Sequence, residues 1–179
     1  MFTLGCERNG WNFSHSTEVE VPADVLWETV CDLEALPQVV SMVTGFERVS
    51  GNPPAVGTRF RETREFKGRE FIMQKTVTRL EDNDPEERCL SLGISVKNSD
   101  GKVHDVVNTS TLIVQEIDDK TSRLTLTGAF QSNSFLDKLN YFFCYCCFKR
   151  MIEATTFQEV EDYRVAAIER NHRRQISSA

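Results

Sequence analysis

The sequence predicts an α+β domain in which a curved antiparallel sheet of six to seven strands grips one long carboxy-terminal helix. Three observations carry this. Apolar and polar residues alternate over much of residues 13–130, the period-two pattern of half-buried strands. The connections between these stretches are short and rich in Gly, Asn, Asp and Pro. Neighbouring strands must then run antiparallel, because a parallel crossover takes a dozen residues or more. After Ser132 the period becomes helical, and this last element alone is long enough to cover a sheet face.

Each element follows in order. Phe13, His15, Thr17, Val19 and Val21 share one parity against Ser14, Ser16, Glu18 and Glu20, which predicts a first strand over 13–21. Pro22 then sits where a first helical turn tolerates it, and a helix over 23–31 buries Val25, Leu26, Trp27 and Val30. Asp32 is placed to cap a second short helix over 33–36 that Pro37 disrupts. Strands are expected over 46–50, 58–66, 69–80, 88–97, 103–117 and 124–130, separated by turn residues such as Gly51-Asn52-Pro53-Pro54 and Lys67-Gly68. The final helix spans 133–170, with one apolar stripe through Phe135, Leu139, Phe142, Phe143 and Cys146. A second stripe runs through Ile152, Thr156, Val160, Tyr163 and Ala167.

With 179 residues the chain makes one domain that buries roughly 70% of its unfolded surface. The expected division is an extension over 1–13, the domain over 14–170 and a frayed tail over 171–179. A net charge of −6 argues against nucleic acid or an anionic membrane as the main partner. The longest apolar run, 141–148 from Tyr141 to Phe148, has eight residues, far short of the ~20 of a membrane span. The first residues carry no secretory or mitochondrial pattern, so a cytoplasmic location is expected. The six cysteines then read as reduced thiols. Cys144, Cys146 and Cys147 lack the second pair a zinc site needs, so no metal and no cofactor are expected.

Several segments resemble the START-like superfamily (SRPBCC), which includes polyketide cyclase/dehydrase, birch-pollen-allergen and coenzyme-Q-binding proteins. They are Val19-Glu20-Val21-Pro22-Ala23-Asp24-Val25-Leu26-Trp27, then Asp32-Leu33, Leu36-Pro37, and 51–60 with Val56-Gly57-Thr58. The likeness covers about residues 14–168. It implies the helix-grip fold and an apolar cavity between sheet and last helix for a lipid, isoprenoid, polyketide or similar molecule. The 12 phenylalanines suit such walls.

Residues expected to line this cavity are Phe60, Arg64, Phe71, Met73, Leu92, Ile94, Leu126, Phe142 and Cys146, around a volume of roughly 300 Å³ or more. Two further polar groups are candidates. His15 shares the inward parity of Val19 and Val21, so it either reaches the cavity rim or stands half-exposed near a strand start. Glu62 and Arg64 share a face with Phe60 and Phe66. If that face is inward, Arg64 requires a carboxylate, water or ligand oxygen, whereas a bulge would turn both outward. No nucleophile elbow, phosphate loop or dinucleotide fingerprint occurs, and no catalytic residue is assigned.

The expected function is therefore binding or transport of a hydrophobic small molecule. A cyclase- or dehydratase-type enzyme acting in the same cavity and a protein-interaction module are the alternatives. A 38-residue helix over 133–170 would overhang the sheet at ~1.5 Å per residue, so either a bend or break is expected between about 146 and 156 or the last turns project into solvent. The segment before it would act as a lid hinged at 128–132 and touch a membrane transiently through 141–148.

Overall fold

The structure, a computed structural model, describes residues 2–7, 10–66, 68–84, 86–97, 106–132 and 145–177. The strands are β1 (Phe2–Glu7), β2 (Gly10–Val19), β3 (Val43–Ser50), β4 (Arg59–Phe66), β5 (Arg69–Glu81), β6 (Glu87–Lys97), β7 (Val106–Asp118) and β8 (Thr121–Ser132). Helix α1 is Ala23–Cys31, α2 is Leu36–Val39 and α3 is Tyr145–Ser177. The strands form one open antiparallel sheet in the order β1-β2-β8-β7-β6-β5-β4-β3. The predicted α+β architecture holds, with eight strands where six to seven were expected. The added one is β1, whose residues were read as an extension. Its sequence, FTLGCE, has little alternation of its own, and the ladder from Phe2↔His15 to Glu7↔Gly10 keeps it extended.

Register shifts at Val43/Gly45, Arg48/Ser50, Val77/Arg79 and Glu116/Asp118 mark bulges, which deepen the twist and curl the sheet around α3. At Gly51 the backbone is left-handed (φ 83°). A Cβ there would stand 2.8 Å from Thr58 Cα, so the loop into β4 admits only glycine.

Helix α1 buries Val25, Leu26, Trp27 and Val30 as its pattern predicts, against one end of the concave sheet face. Asp32, expected as a cap, makes no capping hydrogen bond; its Oδ2 instead accepts from Arg170 Nη2 at 2.5 Å. The segment expected to be a short helix over 33–36 is a 3₁₀ turn, Leu33–Ala35. Pro37 lies in the first turn of α2, where its missing N–H costs nothing, rather than ending a helix.

Helix α3 is unbroken from Tyr145 to Ser177, so the break expected between 146 and 156 does not occur. Its 33 residues run about 50 Å, and its last turns lie over α1. There Arg170 reaches Asp32 and Arg174 reaches Glu28, so the turns expected to fray from 171 are helical and paired. The stripe Ile152, Thr156, Val160, Tyr163 and Ala167 is buried throughout. Residues 128–132, expected as a hinge, lie within β8 and are paired on both sides up to Gln131. The helical start expected over 133–144 lies outside the described residues. So do the side chains of the 141–148 run and of Cys144, Cys146 and Cys147.

Candidate functional site

The register determines which side chains share the concave face, because directly paired residues point the same way. Phe60 pairs with Lys75, Lys75 with Ile94, and Ile94 with Asn108. The next row, towards α1, is Val77, Leu92, Ser110, Gly128 and Phe13. Beyond it come Leu90, Leu112, Leu126 and His15. At the α1 end the face is solid, with Leu90, Leu112 and Leu126 packed into the main core. Away from α1 it loosens: Met73, Ile94, Ser110, Gly128 and Phe13 point into the concavity but are only half-buried. This half-buried part of the face is the floor of the candidate site. Gly128 lies under the Phe13 ring, so any side chain there would meet that ring and approach Thr109 O to 2.9 Å.

Charges line one side of this floor. Lys75 Nζ lies 2.6 Å from Glu62 Oε2, Arg64 Nε donates to Glu62 Oε1, and Arg64 Nη1 donates to Glu159 Oε2 at 2.7 Å. Glu62 is fully buried and Lys75 nearly so, while Arg64 and Glu159 are each 13% exposed. Burial pushes the Glu62 carboxyl up, but Lys75 and Arg64 outweigh burial and hold it below its ordinary value. Burial opposes the Arg64 charge, and Glu159 and Glu62 more than offset it, raising that group. Two cations and two anions thus form one buried network tying β4 and β5 to the middle of α3. Tyr163, fully buried beside it, has its hydroxyl pushed well above its ordinary value, first by burial and then by Glu159 and Glu62.

Asn108 and His15 each carry a buried polar atom on this face without a hydrogen-bond partner. Asn108 is 7% exposed, and its Oδ1 accepts no hydrogen bond. His15 is 9% exposed with Nδ1 unpartnered. Its ring stands 5.4 Å from Phe157 and 6.3 Å from Phe2. Burial lowers the His15 imidazole, with Glu161 and Glu153 pulling the other way. A crevice of about 360 Å³ opens here, lined by Phe2, His15, Arg150, Glu153, Ala154 and Phe157.

Of the residues expected in a pocket, Met73 and Ile94 lie on the loosened floor, and Arg64 and Glu62 lie at its charged side. The inward alternative therefore describes Glu62 and Arg64, with carboxylates as Arg64's partners. Phe60, Leu92 and Leu126 are sealed in the core cluster, Phe60 against Phe46 with ring centroids 5.2 Å apart. Phe71 pairs with Arg64 across β4 and β5 but is 40% exposed, because it sits near the outer end of β5. His15 lines the crevice. Phe142 lies outside the described residues, and Cys146 is described as helical backbone only.

Sequence reasoning missed Lys75, Asn108 and Glu159. Lys75 shares the parity of Phe71, Met73 and Val77, and Asn108 that of Leu112 and Val114. An inward lysine or asparagine in such a strand was the available signal. Glu159 gave none, since only the placement of α3 brings it to Arg64.

Among the described residues no helix is long and apolar enough to cross a membrane. No curated protein sequence matches the chain. Solved structures share its fold. The Zhui aromatase/cyclase from Streptomyces sp. R1128 superposes with a TM-score of 0.65 at 15% identity, covering 89% of this chain and 94% of that one. Major latex-like protein 151 from Panax ginseng gives 0.63 at 11%, covering 89% and 98%. The di-domain ARO/CYC BexL from the BE-7585A biosynthetic pathway gives 0.64 at 17%, covering 88% of this chain and 46% of that one. Residues 10–156, from β2 into α3, match the family described as polyketide cyclase / dehydrase and lipid transport, and the chain belongs to that family.

Proposed function

We propose that the protein binds a hydrophobic small molecule between the loosened half of the concave face and helix α3. The observation that carries this is the floor itself. Met73 and Ile94 face inward and are only half-buried, beside a buried Asn108 acceptor that lacks a donor. A face serving only as core would be filled and its polar atoms paired. Family membership supports the same reading, and a lipid, isoprenoid or polyketide-like occupant fits an apolar floor with a few fixed polar groups. A cytoplasmic setting belongs to the proposal and suits the free thiols of Cys31 and Cys89.

A cyclase-type reaction in the same space is the second reading, favoured by the buried Lys75–Glu62–Arg64 set, which could hold a carbonyl oxygen. Native mass spectrometry of the purified protein tests the first reading. A co-purifying apolar molecule is expected, and Ile94→Trp, which fills the floor, should release it. An empty wild-type protein that also fails to take up a neutral environment-sensitive dye would overturn it. Recovery of the ligand with a changed mass after incubation would favour the enzyme.

A further inference from the structure

We infer that the occupant of this site is uncharged and carries a hydrogen-bond donor, such as a hydroxyl, that Asn108 Oδ1 accepts. This rests on the binding reading above and adds the chemistry of recognition. Charge balance comes first. Among the described residues, the buried charges beside the floor are Glu62, Lys75, Arg64 and Glu159, and they cancel in pairs. Both arginine contacts go to carboxylates, and the lysine lies against one. A carboxylate or phosphate on the ligand would therefore find no uncommitted buried cation among the described residues. It would have to break an existing pair and leave Glu62 or Glu159 buried and unmatched, a heavy cost.

The second observation is the orphaned acceptor. Asn108 is more than nine-tenths buried and its Oδ1 has no partner. Its cross-strand neighbour Ile94 is half-buried floor, and Ser110 and Gly128 in the adjacent row are half-buried as well. A buried acceptor without a donor is a standing penalty, removed when a ligand hydroxyl or N–H supplies the missing hydrogen. A site that hydrogen-bonds such a group also rejects the analogue lacking it, because the acceptor is then left bare. Asn108 is thus a specificity-determining residue, and the balanced network excludes fatty-acid-like anions.

The test uses the full chain loaded with Nile red, a neutral dye, and three competitors of similar size: 2-naphthol, 2-methoxynaphthalene and 2-naphthoate. Expected is displacement by 2-naphthol at roughly tenfold lower concentration than by its methyl ether, with 2-naphthoate weaker still. In Asn108→Leu the advantage of naphthol over the ether should fall below about twofold while the ether binds as before. The wild-type series is decisive by itself, whether or not that variant folds. If naphthol and ether compete equally, Asn108 is satisfied by water and the inference fails. If naphthoate matches naphthol, charge exclusion fails. If Nile red binds and every competitor displaces it alike, the binding reading stands and this inference falls. If protein shown to be empty by native mass spectrometry does not take up the dye, both fall.

Discussion

Glu62 has no exposed surface and two cationic partners, so its side chain is the point where burial and pairing are most finely opposed. Glu62→Gln keeps the shape and leaves Lys75 without an anion, and a loss of about 3–5 kcal/mol is expected in urea unfolding. The pH dependence follows from the depressed carboxyl. Its stabilisation is complete above the ordinary carboxylate range and is lost as pH falls through the lower folded value. Wild-type stability should therefore drop below about pH 4.5, and Glu62→Gln should flatten that acid limb. An unchanged limb would show that Glu62 is not held ionised. Gly128 makes a second case. Gly128→Ala places a methyl against the Phe13 ring, which can yield, and 2.9 Å from the Thr109 carbonyl, which cannot. A cost of about 1–3 kcal/mol is expected by thermal or denaturant unfolding. Alternation within 58–66 was enough to put Glu62 and Arg64 on the face of Phe60. Their partners were illegible, because Lys75 and Glu159 come from other elements.

At the scale of elements, α3 is held at three places. Glu159 takes Arg64 at mid-length, Asp162 Oδ2 accepts from Ser41 N and Oγ at 2.7 Å each, and the last turns lie over α1. The terminal anchorage is partly solvated, with Arg170 27% and Asp32 39% exposed, so each pair contributes little alone. A double-mutant cycle on Asp32→Ala and Arg170→Ala should give a coupling of about 0.5–1 kcal/mol, and zero coupling would mean those turns are not anchored there. The buried stripe of α3 was readable from its spacing, and strand positions followed from turn residues to within a few residues. The helix end was not readable. Three arginines beyond 169 look like a fraying tail until α1 supplies Glu28 and Asp32.

For the molecule as a whole, one half of the concave face is closed by α1 and the other carries the proposed site. A ligand that binds only the folded state stabilises it by mass action, about 2.7 kcal/mol at a hundredfold excess over Kd. For a domain of this size that raises Tm by roughly 5–10 °C. Differential scanning fluorimetry with 2-naphthol should show a concentration-dependent rise that Ile94→Trp abolishes. A rise that survives the filled floor would locate binding elsewhere, with the crevice beside His15 the next place to test.

Local rules determined the strand-helix-strand order, the buried faces of α1 and α3, and the likeness that pointed to this family. Alternation, helical spacing and turn chemistry act over a few residues and are written in the chain itself. Tertiary structure decided what depends on distant segments meeting. It recruited β1 as an eighth strand through its ladder with β2 and carried α3 unbroken across the sheet onto α1. It sealed Phe60, Leu92 and Leu126 in the core while leaving Met73 and Ile94 half-buried. It also balanced Glu62 and Arg64 with Lys75 and Glu159 and left Asn108 unpaired. A buried charge or acceptor is defined by what stands opposite it, and no local pattern records that.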